Sequence, residues 1–347
     1  MNVVVFSSPL QLLNALEAAQ EFCLDPKQLS LLPFYVAGSA SEPTIENVMQ
    51  RFGLQPTGRF VLPPDAKAKG IRDRAWRTLG RRRVFLSLAK YVRDQRDVEC
   101  LMLGNLGNRW QRSLALLAGY RELLVLDDGY GTVPLVHRLA EGDFAQFRLH
   151  SSLDRFVGLR SGLPEGLHFF TAYPLPALKA VRFTRNVYRH LRASVEQIHG
   201  GDQAWFLGQP LTKIGVMGVR EYVAFVARQL DRLRSDYESV TYFPHRHEAK
   251  EIVVELEARG YVTRRYELPI EILGAEVAPG AVISFVCSAL FNFSHILPGT
   301  TRLEMIVVRR EDHAEAQGKA SLDVGRYVSE EFPAIVPTTL SLPALGA

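Results

Sequence analysis

Short apolar runs, each closed by small or polar residues and followed by a segment of helical period, recur along this chain. Residues 2–6 predict a buried strand that Ser7-Ser8-Pro9 breaks; Leu10, Leu13, Asn14, Leu16 and Glu17 then keep helical spacing, with Pro9 suited to the first turn. Residues 30–36 predict a second strand, 45–52 a helix, and 58–62 a third strand that stops at Pro63-Pro64. Residues 100–104 and the run ending at Leu126 are two more apolar strands with a helix over 109–119 between them, so they are expected side by side. Past Thr132 the pattern is helical to Arg138. Loops and short segments then lead to Pro174 and Pro176, and Val181, Val187, Tyr188, Leu191 and Val195 space a long helix ahead of Gly200-Gly201.

The alternation then restarts. Residues 204–207 predict a strand, Gly208-Gln209-Pro210 a turn and 219–233 an amphipathic helix. Strands follow over 240–243 and 261–266, with a helix marked by Ile252 and Leu256 between them. Residues 282–286, which include Ser284, form the last clear strand, and 305–308 predict a final one before a Pro- and Ser-containing tail. Two rounds of strand-helix alternation predict an α/β chain of two Rossmann-like domains with a cleft between them. The expected division is residues 1–175, residues 176–310 and a tail over 311–347. A chain of 347 residues is too long for one ordinary core, which agrees with two domains.

Composition narrows the class. An apolar fraction of 47% supports a sizeable core, and 22% charged residues with no low-complexity block predict a soluble globular protein. Cys23, Cys100 and Cys287 are scattered, without the paired spacing of a zinc or redox site, as suits a reducing compartment. The N-terminus has no basic segment followed by an adequate apolar run, and no window approaches a membrane span, so a cytoplasmic location is expected. A net charge of +4 is too mild by itself to argue for nucleic acid. Its distribution matters more. Lys67, Lys69, Arg72, Arg74, Arg77, Arg81, Arg82 and Arg83 face only Asp73, and Trp76 and Leu79 sit among them. Two readings fit: a solvated basic helix, or a helix lying on an anionic membrane or holding an anionic lipid-linked acceptor. No helix-turn-helix, zinc-finger or RNP signature accompanies the arm, so nucleic acid is not expected as a partner.

Three strand ends carry candidate chemistry. Leu124-Val125-Leu126 runs into Asp127-Asp128-Gly129, which delivers two carboxylates to the edge where open α/β sheets place ligands. Successive side chains face opposite ways, so one acid can face a cleft while the other holds the loop; Gly129 and Gly131 allow a sharp turn. The strand over 240–243 runs into Pro244-His245-Arg246-His247-Glu248, and the strand over 282–286 opens into Cys287-Ser288-Ala289-Leu290, with Ser288 at a helix start. Ser8 also stands at a helix start, where capping is its plain role and anion binding the alternative. Carboxylate, imidazole and hydroxyl groups at a cleft are what glycosyl transfer needs: a base for the acceptor hydroxyl and donors for the departing phosphate.

These residues resemble the bacterial CMP-sialic-acid-dependent glycosyltransferases of lipo-oligosaccharide and polysialic acid synthesis, which have the GT-B architecture. Asp127-Asp128-Gly129 resembles the family's acidic motif. Pro244-His245-Arg246-His247-Glu248 resembles its His-Pro motif with Arg246 where proline is usual, and Ser288 resembles its serine motif with Cys287 replacing one hydroxyl. The opening from Ser8 to Asn14 and the turn Gly208-Gln209-Pro210-Leu211 are also similar to family features. The resemblance implies inverting transfer of a sialic, legionaminic, pseudaminic or Kdo-type sugar from a CMP-sugar to a glycan or lipid-linked glycan acceptor of lipo-oligosaccharide, capsule or O-antigen. It implies Asp128 as the general base, with Asp127 as the alternative, and His245 at the CMP phosphate as a cation or acid. Ser288 would bind the same phosphate, and Arg246, His247, Gly208, Gln209, Ser284 and Ser8 complete the expected donor-binding set. Neither metal nor cofactor is required in that scheme, and an enzyme with such an acceptor would work at the inner face of the cytoplasmic membrane.

Two rivals use the same residues. In a metal-dependent phosphoesterase, Asp127, Asp128, His245 and His247 would be the metal ligands. In a non-catalytic sugar-nucleotide-binding protein the acidic pair would be structural.

Overall fold

The computed structural model describes residues 1–64, 70–95, 97–149, 151–195, 201–310 and 324–342. The chain divides into two compact units, Met1–Arg189 and His190–Ala347. Each is built on one parallel sheet.

The first unit contains β1 (Asn2–Phe6), β2 (Leu29–Val36), β3 (Phe60–Leu62), β4 (Cys100–Leu103), β5 (Glu122–Leu126), β6 (Leu167–Thr171) and β7 (Arg182–Arg185). Their order across the sheet is β3-β2-β1-β4-β5-β6-β7. β1 is the pivot: Val3 pairs with Ser30 on one side and with Leu101 on the other, and the strand order reverses there. The inner strands are apolar almost throughout, and the edge strand β7 is not, because helices cover both faces of a parallel sheet along its interior. In β5, Leu123, Leu124, Val125 and Leu126 are all essentially inaccessible. The expected neighbours pair as the pattern predicted, with Leu101 opposite Leu123.

The second unit repeats the plan with β8 (Gly201–Leu207), β9 (Ser239–Phe243), β10 (Val262–Thr263), β11 (Pro279–Phe285), β12 (Arg302–Arg310) and β13 (Ile335–Leu342). The order is β10-β9-β8-β11-β12-β13, so the reversal falls between β8 and β11. Both sheets thus follow the doubly wound order that opens a ligand crevice at the carboxyl ends of the strands flanking the reversal.

The structure departs from the sequence pattern in several places: β6 lies where loops and short segments were expected, and the strand expected over 261–266 is reduced to Val262–Thr263. The helix expected over 181–195 is helical only from Arg189 to Val195, and Arg182–Arg185 is the edge strand of the first sheet. Long-range contacts outweigh the helical spacing. Phe183 stacks on Phe169 with ring centroids 5.6 Å apart, and His168 bridges Glu122 and Thr184 at 2.8 and 2.7 Å. β7 therefore belongs to the first unit, which ends at Arg189 rather than at residue 175. The expected tail over 311–347 is also corrected: Val324–Glu331 is a helix and β13 pairs with β12 from Leu303–Ile335 to Arg310–Leu342. Tyr327, Val328, Phe332, Ile335 and Leu342 are buried, so this segment helps close the second core.

Among the described residues, removing everything beyond Arg310 takes away five buried apolar side chains, on the order of 10 kcal/mol and comparable to the whole stability of a domain. The truncated chain is expected to lose the cooperative urea transition of its second unit. An unchanged two-unit unfolding profile would show that the segment is dispensable.

Candidate functional site

In the first unit the carboxyl ends of β1, β4 and β5 lie side by side, and each is followed by polar residues. After β1, Ser8 caps the Pro9–Glu21 helix as expected, its hydroxyl accepting from the Gln11 N–H at 3.3 Å. The same hydroxyl donates to Asp128 Oδ1 at 3.2 Å. Gln11 Nε2 donates to that oxygen at 2.7 Å, and after β4 Asn105 Nδ2 donates to Asp128 Oδ2 at 2.5 Å. Three neutral donors from two other strand ends therefore hold one carboxylate that is itself exposed at the rim. Gln11 is buried and held in turn: its Oε1 accepts from the Ser7 N–H at 2.7 Å and from Gln111 Nε2 at 3.4 Å. Gln111 Oε1 closes the ring by accepting from the Asn105 N–H at 2.8 Å.

Asp127 points the other way. It is 2% exposed, and its Oδ2 accepts from the Ala172 N–H at 2.6 Å, at the end of β6. Burial pushes its carboxyl up to about 7, against the Ala172 hydrogen bond, the Thr171 and Thr132 hydroxyls and the charge of Arg185, all of which favour the ionised form. Its backbone carbonyl accepts from Asn14 Nδ2 at 3.0 Å, and Asn186 holds Asn14 at 3.2 Å. Alternation along the strand thus separates a solvent-facing acid from an interior one. The turn between them and the Thr132–Ala140 helix needs Gly129 at φ +80°, whereas Gly131 is right-handed and any residue could adopt its conformation.

In the second unit the adjacent strand ends of β9, β8 and β11 carry the remaining candidates. Gly208, next after β8, sits against Tyr242 and Glu248: a Cβ there would run into the Tyr242 hydroxyl and the Glu248 carboxylate. The Gln209 N–H donates to the Tyr222 hydroxyl at 2.9 Å. Tyr242 donates to Glu248 Oε1 at 2.6 Å, and the His245 N–H donates to Glu248 Oε2 at 3.0 Å, so a buried acid ties the histidine loop to the sheet. Burial raises the Glu248 carboxyl above the usual carboxylate range. His245 is half-buried, and its Nδ1 accepts from the His247 N–H at 3.1 Å, which leaves the ring proton on Nε2. Burial, followed by the charges of Arg246, His247 and Lys213, pushes this imidazole down to about 4. Of the two roles expected for His245 at the phosphate, cation or acid, this disfavours a resting cation in the free protein near pH 7, because desolvation and neighbouring cations oppose a further charge.

Arg246 and His247 are exposed beside it. Ser288 opens the Ser288–Ile296 helix, but Cys287 is the residue at the cap position, in extended backbone at φ −149° and ψ 153°. Ser284 corrects the expected donor-binding set. It is fully buried and its hydroxyl donates to the Leu207 carbonyl at 2.8 Å, a cross-link between β11 and β8.

The sequence pattern did not single out Asn105, Gln111, Lys213, Tyr222 or Tyr242. Asn105 carried the one usable signal, a polar residue directly after an apolar strand and a glycine. Among the described residues no group of three or more His, Cys, Asp or Glu side chains is placed to hold a metal.

The fold is that of the GT-B glycosyltransferases, two Rossmann-like units each with a parallel sheet. Among solved structures, an α/β-galactoside α-2,3-sialyltransferase from the luminous marine bacterium Photobacterium phosphoreum superposes with a TM-score of 0.51 at 12% identity, over 97% of this chain and 97% of that one. The GT-B domain of a Photobacterium damselae sialyltransferase gives 0.49 at 10% identity, over 98% of this chain and 100% of that one. Acinetobacter baumannii MurG gives 0.41 at 13%, over 97% and 85%. No protein-family model matches the sequence, and no curated protein matches it either.

The Asp127 carboxyl has a measurable signature. Its folded value, about 7, lies above the unfolded 3.8, so its contribution to stability is full below the unfolded value and is lost as pH rises through the folded one. Relative to Asp127→Asn, the wild-type protein should lose on the order of 2 kcal/mol between about pH 5 and about pH 8. Denaturant melts of both proteins across that range check this, and parallel pH profiles would place the carboxyl in a solvated environment instead.

Proposed function

We propose that this chain is an inverting glycosyltransferase that moves a sialic-acid-like nonulosonic acid from a CMP-sugar to a surface glycan acceptor. The observation that carries the reading is the contrast within the acidic pair: Asp128 is exposed and aligned by Ser8, Gln11 and Asn105, while Asp127 is interior. An aligned, solvent-facing carboxylate at the carboxyl edge of a doubly wound sheet is suited to take the proton of an acceptor hydroxyl. Asp128 rather than Asp127 is therefore the base. As that proton leaves, the acceptor oxygen forms a bond to the anomeric carbon, the bond from that carbon to the phosphate oxygen breaks, and CMP departs with the electron pair.

The charge that develops on the phosphate needs donors. In the second unit these are His245 through Nε2–H, Arg246 and Lys213 beside it, and Ser288 at the start of its nine-residue helix. A neutral His245 donates a hydrogen bond without competing for the same counter-charge, and a bound phosphate raises its proton affinity for the departure step. The donor nucleotide and the acceptor follow the sequence resemblance rather than the fold, which is shared by enzymes of other donors. In this scheme the protein's own donors suffice and no metal is called for. An acceptor of this class is built on a membrane lipid, so association with the inner face of the cytoplasmic membrane through the basic helix is part of the proposal.

CMP-sugar turnover and calorimetric CMP binding test the reading. Asp128→Asn is expected to lose transfer by roughly a hundredfold or more while still binding CMP. His245→Ala and Ser288→Ala are expected to weaken CMP binding by about tenfold, and a chelator is expected to leave turnover unchanged. Binding of UDP or GDP as tight as CMP would remove the donor assignment, and loss of turnover in chelator would restore a metal mechanism.

A further inference from the structure

The basic helix extends further than the sequence pattern indicated, over Ile71–Asp94, 24 residues, while Lys67 and Lys69 of the expected arm lie outside the described residues. Its C-terminal half is anchored: Phe85, Leu88, Ala89 and Val92 are buried in the core of the first unit. Its N-terminal half is not supported in the same way. Gly80 lies against Pro63, and Arg77 donates to the Pro64 carbonyl at 3.0 Å, both just past the end of β3. The turns ahead of Arg77 therefore project beyond the carboxyl edge of the sheet, the edge that carries Asp128.

The face turned away from the core has an unusual composition. At helical spacing Arg72, Trp76, Leu79, Arg83, Leu86 and Lys90 form one stripe, and all six are exposed, with Trp76 at 69% and Leu79 at 54%. Beside it the Ser152–Phe156 helix adds Leu153 and Phe156, 42% and 46% exposed. Arg82 joins the two helices, donating to the Phe156 carbonyl with its guanidinium 4.8 Å from the centre of the Phe156 ring. The nearby acids are occupied, Asp73 by Arg77 and Asp154 by Arg109, each at 2.7 Å. The patch is thus apolar and cationic together.

We propose that this surface docks on an anionic phospholipid bilayer, with Trp76, Leu79, Leu86, Leu153 and Phe156 in the headgroup boundary and Arg72, Arg83 and Lys90 on lipid phosphates. Interleaved tryptophan, leucine and arginine suit a layered interface, where apolar bodies go down and charged heads reach up. A soluble acidic partner would have use for the charges but not for five exposed apolar side chains. Among the described residues no helix is long and apolar enough to cross a membrane, so the contact is interfacial. Docking here sets the edge that carries Asp128 at the membrane. This deepens the acceptor part of the proposed function and rests on it only for its purpose.

Co-sedimentation of the full chain with vesicles of phosphatidylglycerol in phosphatidylcholine, against phosphatidylcholine alone, tests it. Wild type is expected to bind the anionic vesicles preferentially, and Arg72→Gln/Arg83→Gln/Lys90→Gln to bind them on the order of a hundredfold more weakly. Trp76→Ser/Leu79→Ser should also lose at least about tenfold in binding while keeping the wild-type melting profile and CMP binding, since both side chains are exposed. Undiminished vesicle binding by the serine pair would overturn the proposal in favour of a bulk electrostatic surface for soluble polyanions, as would equal binding to neutral vesicles. Because CMP binding is measured on the same samples, vesicle binding without CMP recognition would overturn the transferase reading and leave the docking surface standing.

Discussion

Asp128 is an ionisable group placed where three strand ends meet, and holding its carboxylate in one orientation locates much of the first unit. Its donors come from the segments after β1 and β4, so the Pro9–Glu21 helix, the loop at Asn105 and the end of β5 are mutually located through it. The buried Gln11 amide needs partners of its own, since an unpaired buried amide costs about 1–3 kcal/mol. Ser7 and Gln111 supply them and bring in the Arg109–Ala115 helix. Only parallel strands in register present all these ends at one edge.

The two units handle titratable groups in opposite ways with one physical result. In the first, burial lifts Asp127 to about 7 and keeps the interior acid largely uncharged below neutrality. In the second, burial and neighbouring cations lower His245 to about 4 and keep the imidazole neutral. Each unit therefore spends desolvation on a neutral interior member and leaves its charged partners, Asp128 in one and Arg246 in the other, at the surface. Glu248 follows the same rule, buried with a raised carboxyl and engaged by Tyr242 and the loop backbone.

Helix length matters for the surface of the first unit. A helix of 24 residues rises about 36 Å, roughly twice the span of a five-residue strand, so it overhangs the sheet it crosses. The overhang has no core to bury apolar residues in, and Trp76 and Leu79 remain exposed among arginines. The short Ser152–Phe156 helix supports this segment through Arg82 and extends the same kind of surface.

The amino-acid sequence by itself determined the doubly wound class, most strands and the strand ends that carry polar groups. A parallel strand covered on both faces must be apolar throughout, and its boundary with a polar loop is therefore visible locally. Strands whose stability comes from distant partners were not visible: Arg182–Arg185 is polar at every second position and is held by Phe169 and His168, and Ile335–Leu342 borrows its register from β12. The acidic pair was legible as a pair, and alternation implied one acid in and one out. Only the tertiary structure decided that Asp128 faces out, because that depends on which of the two carboxylates meets the Ala172 N–H just past β6. The same holds for Ser284 as a sheet cross-link and for the neutral state of His245. Desolvation and charge are sums over neighbours that the linear order does not reveal.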